Sequence, residues 1–372
     1  MRINVQGDGN VVVVTGDASS VKIGDIRLDS GESFDSVDFS NGHNNSGVGE
    51  AESASAKSCA KLLRAHYLNS SSKIHPTPWF EAGFQLRTTD IYTELEVTSR
   101  TERGVESSSS ESDFRKRLVS GRCNRILVEG EPGVGKSTFC RKFTLDWATD
   151  DLEWAGNFDL LFTLNLRQVT RSGKLIDAIF DQLLPEDTDV DKGHLEHFIK
   201  KNQDKVLIFL DGVDELESTW KSDVLKLVKR RFLPQATVVA TSRSTERHHL
   251  VTDIDGHYII KGFTLDSVSS YIQKYFESDE GAAESLISMI EADDNIQILT
   301  TNPLNAVLLC VLWEDSERAL WGNKVTELYR QIIVSIIKRF LKKMTHPCHS
   351  VKKFLEISNQ SYQSWVKWRL MA

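Results

Sequence analysis

The stretch EGEPGVGKSTFC, Glu129 to Cys140, constrains this chain more than any other. Gly130, Gly135, Lys136 and Ser137 fit the spacing G-x-x-x-x-G-K-[ST], with the apolar run RILVEG before it and STFCRKFTLDW after it. In the second segment Phe139, Cys140, Phe143 and Trp147 fall on one helical face. A strand, a glycine turn and a helix in that order let backbone N–H groups curl around phosphate oxygens, and the helix N-terminus adds its positive end. Lys136 can then reach the β- and γ-phosphates, and Ser137 can ligate Mg2+.

The surrounding text supplies the sheet such a loop needs. FDLLFTLNL, KVLIFLD, ATVVATSR and HYIIKG join RILVEG as apolar runs separated by helical stretches. Strands buried on both faces read as continuous apolar runs, so the prediction is α/β: a parallel P-loop NTPase sheet sandwiched by helices. Beyond Phe263 no further strand is expected, and an all-α helical subdomain follows. Its best example is Val325 to Lys343, where Val325, Leu328, Ile332, Ile336 and Leu341 recur at helical spacing and Lys342 and Lys343 occupy the last turn.

VLIFLDGVDEL carries the second half of a triphosphate site. Asp211 ends its strand at the carboxyl edge, where α/β sheets bind ligands, and is placed to hold Mg2+ opposite Ser137. Its neighbour is Gly212, and acidic groups return only at Asp214 and Glu215. A water-activating base displaced in this way predicts slow hydrolysis, because a misplacement of ~1 Å can cost on the order of a hundredfold in rate. Arg243 ends the next strand and is suited to sensing a γ-phosphate; a structural salt bridge to a nearby carboxylate is the alternative.

Outside this core the chain divides by composition. Residues 1–50 are rich in Gly, Asn, Ser and Asp around short runs such as VVVV, and read as a β-rich or disordered tail. Residues 51–120 hold a helix around Cys59 to Tyr67, the connector HPTPWF, and SSSSES at 107–112, expected to be a flexible linker. The NTPase core is placed at 121–275, the helical domain at 276–345, and a last short segment at 346–372.

Bulk properties exclude other classes. A formal net charge of −8 with 26% charged residues gives no basic field for nucleic acid. No apolar run approaches the ~20 residues of a membrane span, and MRINVQGDGN lacks the apolar core of a secretory signal. Five scattered cysteines suit reduced thiols, so the expected location is cytoplasmic. His346, Cys348 and His349 lack a fourth ligand at sensible spacing, and no metal site is assigned to them.

GEPGVGKST, LIFLDGVDEL, VVATSR and TNPLNAVLLCVLW stand in the order and spacing of the NACHT family, and the resemblance runs from about Arg87 to Lys343. That family is the nucleotide-binding module of animal NOD-like receptors. The resemblance implies an ATP/ADP switch: ADP holds a closed form, ATP permits oligomerisation, and hydrolysis resets. It implies phosphate binding by Gly133, Gly135, Lys136, Ser137 and Thr138, a Mg2+ role for Asp211, and nucleotide sensing by Arg243. Pro303, in the NPL motif, would contact the adenine or its neighbour; a helix-starting proline is the other reading, and both can hold. Tyr92 is a weaker candidate for the base pocket, with a core aromatic as the alternative.

The implied partners are further copies of the chain or related NACHT proteins, and immune or cell-death signalling follows from family alone. INVQGDGNVVVV loosely resembles the RIP homotypic interaction motif through Val5, Gln6, Gly7 and Asn10, which suggests a homotypic partner for residues 1–25. An ordinary hairpin turning at GDGN is the alternative. VKKFLEISNQSYQSWVKWRLMA resembles the first turns of the family's winged-helix domain; the nucleotide-contacting histidine of that domain is not identified here. Two other functions stay open: a truncated, non-catalytic regulator of full-length relatives, and a conventional turnover ATPase or kinase. The chain has no N-K-x-D motif for guanine and no L-S-G-G-Q of a transporter ATPase.

Overall fold

The computed structural model describes residues 4–7, 10–13, 45–74, 86–101, 104–121, 124–150, 152–168, 174–215, 224–243, 254–315 and 328–334. The HPTPWF connector, most of the Val325 to Lys343 helix and residues 346–372 lie outside them. The chain forms two compact units, Met1–Ala54 and Ser55–Ala372.

In the first unit β1 (Asn4–Gly7) and β2 (Asn10–Val13) pair antiparallel, with Gly7 opposite Asn10. The unit boundary falls within α1 (Asn45–Ser70), and after that helix the second unit continues with β3 (Lys73–Ile74), β4 (Leu86–Arg87) and α2 (Thr88–Ile91). Next come β5 (Glu96–Arg100), β6 (Glu106–Ser109), α3 (Glu111–Val119), β7 (Arg125–Gly130) and α4 (Lys136–Thr149). β8 (Leu160–Asn165), α5 (Leu175–Leu183), α6 (Lys192–Lys201), β9 (Val206–Asp211), α7 (224–228), β10 (Thr237–Ser242) and β11 (Gly256–Gly262) complete the α/β part. The helices α8 (Leu265–Tyr275), α9 (Glu280–Glu291), α10 (Asp294–Thr300), α11 (Pro303–Asp315) and α12 (328–334) follow.

The main sheet runs β6-β5-β11-β7-β10-β9-β8. From β11 to β8 every pairing is parallel, and each residue of β7 and β10 is buried, which is why these strands read as unbroken apolar runs. One face is sealed by aromatics. Phe114 of α3 meets Phe139 and Phe143 of α4 and Tyr258 of β11 edge-on, with centroids 5.0 to 5.2 Å apart. α1 closes the same layer: Tyr67 donates to Leu161 O at 3.0 Å, and the Arg64 guanidinium lies 4.5 Å above the Trp147 ring.

The serine tract differs from expectation. Residues 106–109 form an edge strand, with Ser107, Ser108 and Ser109 opposite Ser99, Thr98 and Val97 of β5. Ser110 then caps α3 reciprocally with Asp113, its hydroxyl accepting Asp113 N–H at 3.1 Å and its own N–H donating to Asp113 at 3.2 Å. Serine composition suggests a linker, but the open edge of β5 offers a ladder, and tertiary pairing overrides local propensity. The sheet thus reaches back outside 121–275. After β11, α8 packs with α9, α10 and α11.

Candidate functional site

The site lies where β7, β9 and β10 end. β7 stops at Gly130, the chain turns through Glu131–Val134, and α4 starts after Gly135, whose φ of 101° is left-handed. Gly133 has a φ of 82°. Among the described residues, the N–H groups of Gly133, Gly135, Lys136, Ser137 and Thr138 donate to no backbone acceptor. This is a row of unpaired donors at a helix N-terminus, the arrangement that binds phosphate.

Lys136 Nζ folds back over the turn, donating to Gly130 O at 2.6 Å and Glu131 O at 3.0 Å. Burial pulls its pKa below the usual lysine value; the carboxylates of Asp214 and Asp211 oppose that shift and Arg243 adds to it. The phosphate-loop lysine and the strand-end charges therefore share one electrostatic neighbourhood. Gly130 is boxed in at the strand end: a Cβ there would meet Val134 Cγ2 at 2.7 Å and Ile260 O at 3.0 Å. Beside it Glu129 is buried and accepts His257 Nε2 at 2.7 Å, which ties the root of the loop to β11.

Asp211 ends β9 and accepts the Thr241 hydroxyl at 2.7 Å, while Thr241 Oγ1 accepts Gly212 N–H at 2.9 Å. Thr241 is fully buried in β10 and orients the carboxylate, a role that sequence reading did not assign. Asp214 and Glu215 sit in a short 3-10 turn, Val213–Glu215. Arg243 Nε lies 3.0 Å from Asp214 Oδ2, its backbone N–H donates to Asp214 Oδ1 at 3.2 Å, and its Nη2 donates to Glu215 Oε1 at 3.3 Å. Arg167, beyond the end of β8, pairs with Glu215 at 3.1 Å. The expected acid pair and the expected sensor are thus one ion network, and the salt-bridge alternative for Arg243 is realised.

Pro303 starts α11 beside the end of β11, its Cδ 3.4 Å from where a Gly262 Cβ would stand. Tyr92 is used in packing: its hydroxyl donates to the buried Glu111, and Lys142 lies 5.6 Å above its ring. Among the described residues no group of three or more His, Cys, Asp or Glu side chains forms a metal cage. Ser137 and Asp211 instead offer a hydroxyl and a carboxylate, the oxygen donors Mg2+ takes when it keeps waters and phosphates as its other ligands.

A seven-stranded, largely parallel sheet with a glycine turn feeding a helix, and an aspartate ending the strand two places along the sheet, defines a P-loop NTPase fold. Residues 124–279 match the NACHT domain. Over that span, less than half of its length, the chain resembles NACHT domains. It is 28% identical over 222 residues to NLR family CARD domain-containing protein 4 of Xenopus tropicalis, covering 59% of this chain and 22% of that protein. With NACHT, LRR and PYD domains-containing protein 3 of Homo sapiens it shares 27% identity over 205 residues, 50% of this chain and 19% of that one. The chain thus spans about a fifth of the length of these relatives. Among solved structures, the Aeropyrum pernix ORC1 protein in complex with DNA aligns at 15% identity over 66% of this chain and 70% of that one, with a TM-score of 0.40. Among the described residues no single helix is long and apolar enough to cross a membrane.

Proposed function

We propose that this chain is a nucleotide-operated switch that binds ADP or ATP with Mg2+ and hydrolyses slowly, with assembly as its output. The observation that carries this reading is the engagement of Asp214 and Glu215 by Arg243 and Arg167. An acidic pair already engaged by two guanidiniums has fewer lone pairs left to orient an attacking water, whereas Arg243, nearly half exposed, is free to exchange a carboxylate for an anionic phosphate. Gly133, Gly135, Lys136, Ser137 and Thr138 hold the phosphates through N–H groups and the ammonium. Ser137 and Asp211 hold Mg2+, which would neutralise charge on the phosphate oxygens.

On this reading the Lys136 ammonium leaves Gly130 O and Glu131 O for the β- and γ-phosphates. Arg243 then reports a third phosphate by giving up Asp214, and the partners of the switched form are copies of the chain or related NACHT proteins. The site's chemistry is also compatible with a turnover ATPase, and one experiment separates the two. Purified protein is denatured to identify the released nucleotide, then its mass in solution is followed on adding ATP or a non-hydrolysable analogue with Mg2+. Bound ADP and growth in mass with the triphosphate alone is the expected result; an empty site, rapid multiple turnover and constant mass would overturn the switch. Lys136→Ala is expected to weaken nucleotide binding at least a hundredfold, and unchanged affinity in a titration would remove the phosphate-loop assignment.

A further inference from the structure

The helical subdomain touches the phosphate loop at one corner. α10 and α11 are bent by 115° at the break between them, where Thr301 and Asn302 approach Gly262 and Gly133 respectively. β11 lies beside β7 with Ile260 opposite Gly130, so Gly262 ends one strand while Gly133 follows the end of its neighbour.

The contacts are backbone-close on both sides. Thr301 O accepts Phe263 N–H at 2.7 Å, and a Cβ on Gly262, whose φ is +118°, would stand 2.2 Å from that oxygen. Asn302 Nδ2 donates to Pro132 O at 2.9 Å, while its Oδ1 accepts Leu304 N–H at 3.1 Å. Leu304 N–H is shared with Gly133 O at 3.2 Å. A Cβ on Gly133 would lie 2.7 Å from Asn302 Oδ1, so any side chain there would displace the corner.

Two consecutive carbonyls of the loop, Pro132 and Gly133, are therefore held from the helical subdomain. A trans peptide is planar with its N–H opposite its C=O, so anchoring Pro132 O to Asn302 turns the Gly133 N–H away from the helical subdomain. That N–H is one of the unpaired phosphate-loop donors. The simpler account of Asn302 is that it caps α11, but the cap uses only Oδ1. The bond from Nδ2 to Pro132 O adds nothing to the cap and joins two subdomains 170 residues apart in sequence.

We propose that Asn302 is a positioning residue for the phosphate loop: from the helical subdomain it sets the peptide whose N–H meets a nucleotide phosphate, so that phosphate occupancy and seating of the 301–304 corner stabilise each other. This rests on the nucleotide-binding reading above. The coupling is reciprocal, as any linkage between two equilibria must be. Nucleotide tightens the corner, and a helical subdomain that swings away loosens nucleotide.

The test uses Asn302→Ser and Asn302→Asp in the full chain. Serine and aspartate are both good helix caps, so both variants keep the bond to Leu304 N–H, and both lose the donor to Pro132 O. With ADP and a non-hydrolysable ATP analogue as probes in Mg2+, Asn302→Ser is expected to bind about tenfold more weakly, and Asn302→Asp more weakly still because a carboxylate oxygen would oppose the Pro132 carbonyl where a donor now stands. The melting temperature without nucleotide is expected to stay within about 3 °C of the parent. Hydrogen exchange supplies the second readout: ADP slows exchange at Asn302 and Leu304 N–H in the parent and fails to do so in Asn302→Ser. Parent-like affinity in Asn302→Ser, or equal slowing in both proteins, would overturn the role of Asn302 and leave the phosphate loop intact. A parent that binds no nucleotide would overturn the site and this inference together. Should neither variant fold, the parent still decides, because ADP that leaves exchange at Leu304 unchanged contradicts the coupling.

Discussion

Arg125 opens β7 at the amino end of the sheet, and Arg243 follows β10 at the carboxyl end. Arg125 is 1% exposed, and its guanidinium donates to four carbonyls: Leu227 at 2.9 Å, Asn124 at 2.8 Å, Leu233 at 2.7 Å, and Ala236. These donors close the α7–β10 connection onto the strand, and among the described residues no carboxylate pairs with the guanidinium. Arg243 is 46% exposed in its side chain and rests on two carboxylates. Carbonyls held in a loop cannot leave their donor without unfolding that loop, whereas a half-exposed ion pair exchanges partners at little cost. One end of the sheet is fastened by buried hydrogen bonds and the other carries a half-exposed ion pair, although both use the same side chain.

The sharpest break of this comparison is Arg125→Ala. It strands four carbonyls, three of them in the approach to β10, and is expected to cost about 3–5 kcal/mol in chemical denaturation. A loss under about 1 kcal/mol would mean that the amino end is not fastened by this residue.

Arg243→Ala should act the other way round. Stability in the absence of nucleotide is expected to change by less than about 1 kcal/mol, because the lost pairs are solvent-exposed. Preference for the triphosphate over ADP is expected to fall about tenfold, in a competition titration with the two nucleotides. A large loss of stability with unaltered preference would make Arg243 a second Arg125.

The smallest effect concerns thiols. Burial pushes Cys59 up to about 12 and raises Cys140 and Cys310 well above the ordinary thiol range. A thiol reacts as its thiolate, so at pH 8 these three are expected to resist iodoacetamide in the native state and to react once unfolded. Cys140 is the informative one, since it lies in α4 behind the phosphate loop. Native labelling at Cys140, read by site-resolved mass spectrometry, would mean that the carboxyl end of the sheet opens into the core as well as to solvent.

The strands from RILVEG to HYIIKG were legible because both faces of each are covered, and burial on both faces writes itself into composition as an apolar run. The phosphate loop was legible because its glycines and lysine are dictated by local geometry and by phosphate chemistry. β5 and β6 were not, since an edge ladder needs only backbone groups and accepts small polar side chains along both strands, as Ser99 opposite Ser107 illustrates.

Within the site, sequence alone determined which residues are brought to the carboxyl edge: Lys136, Ser137, Asp211, Asp214, Glu215 and Arg243 each follow from a strand end or a helix start. Tertiary structure alone decided what they do to one another. Thr241 orients Asp211, Arg167 shares Glu215 with Arg243, and Asn302 reaches Pro132 across 170 residues of chain. The reason is physical. A motif records the local conformation that a few adjacent residues must adopt, while an ion pair or a hydrogen bond between distant segments depends on where the packed layers bring their ends, and short-range spacing carries no trace of that.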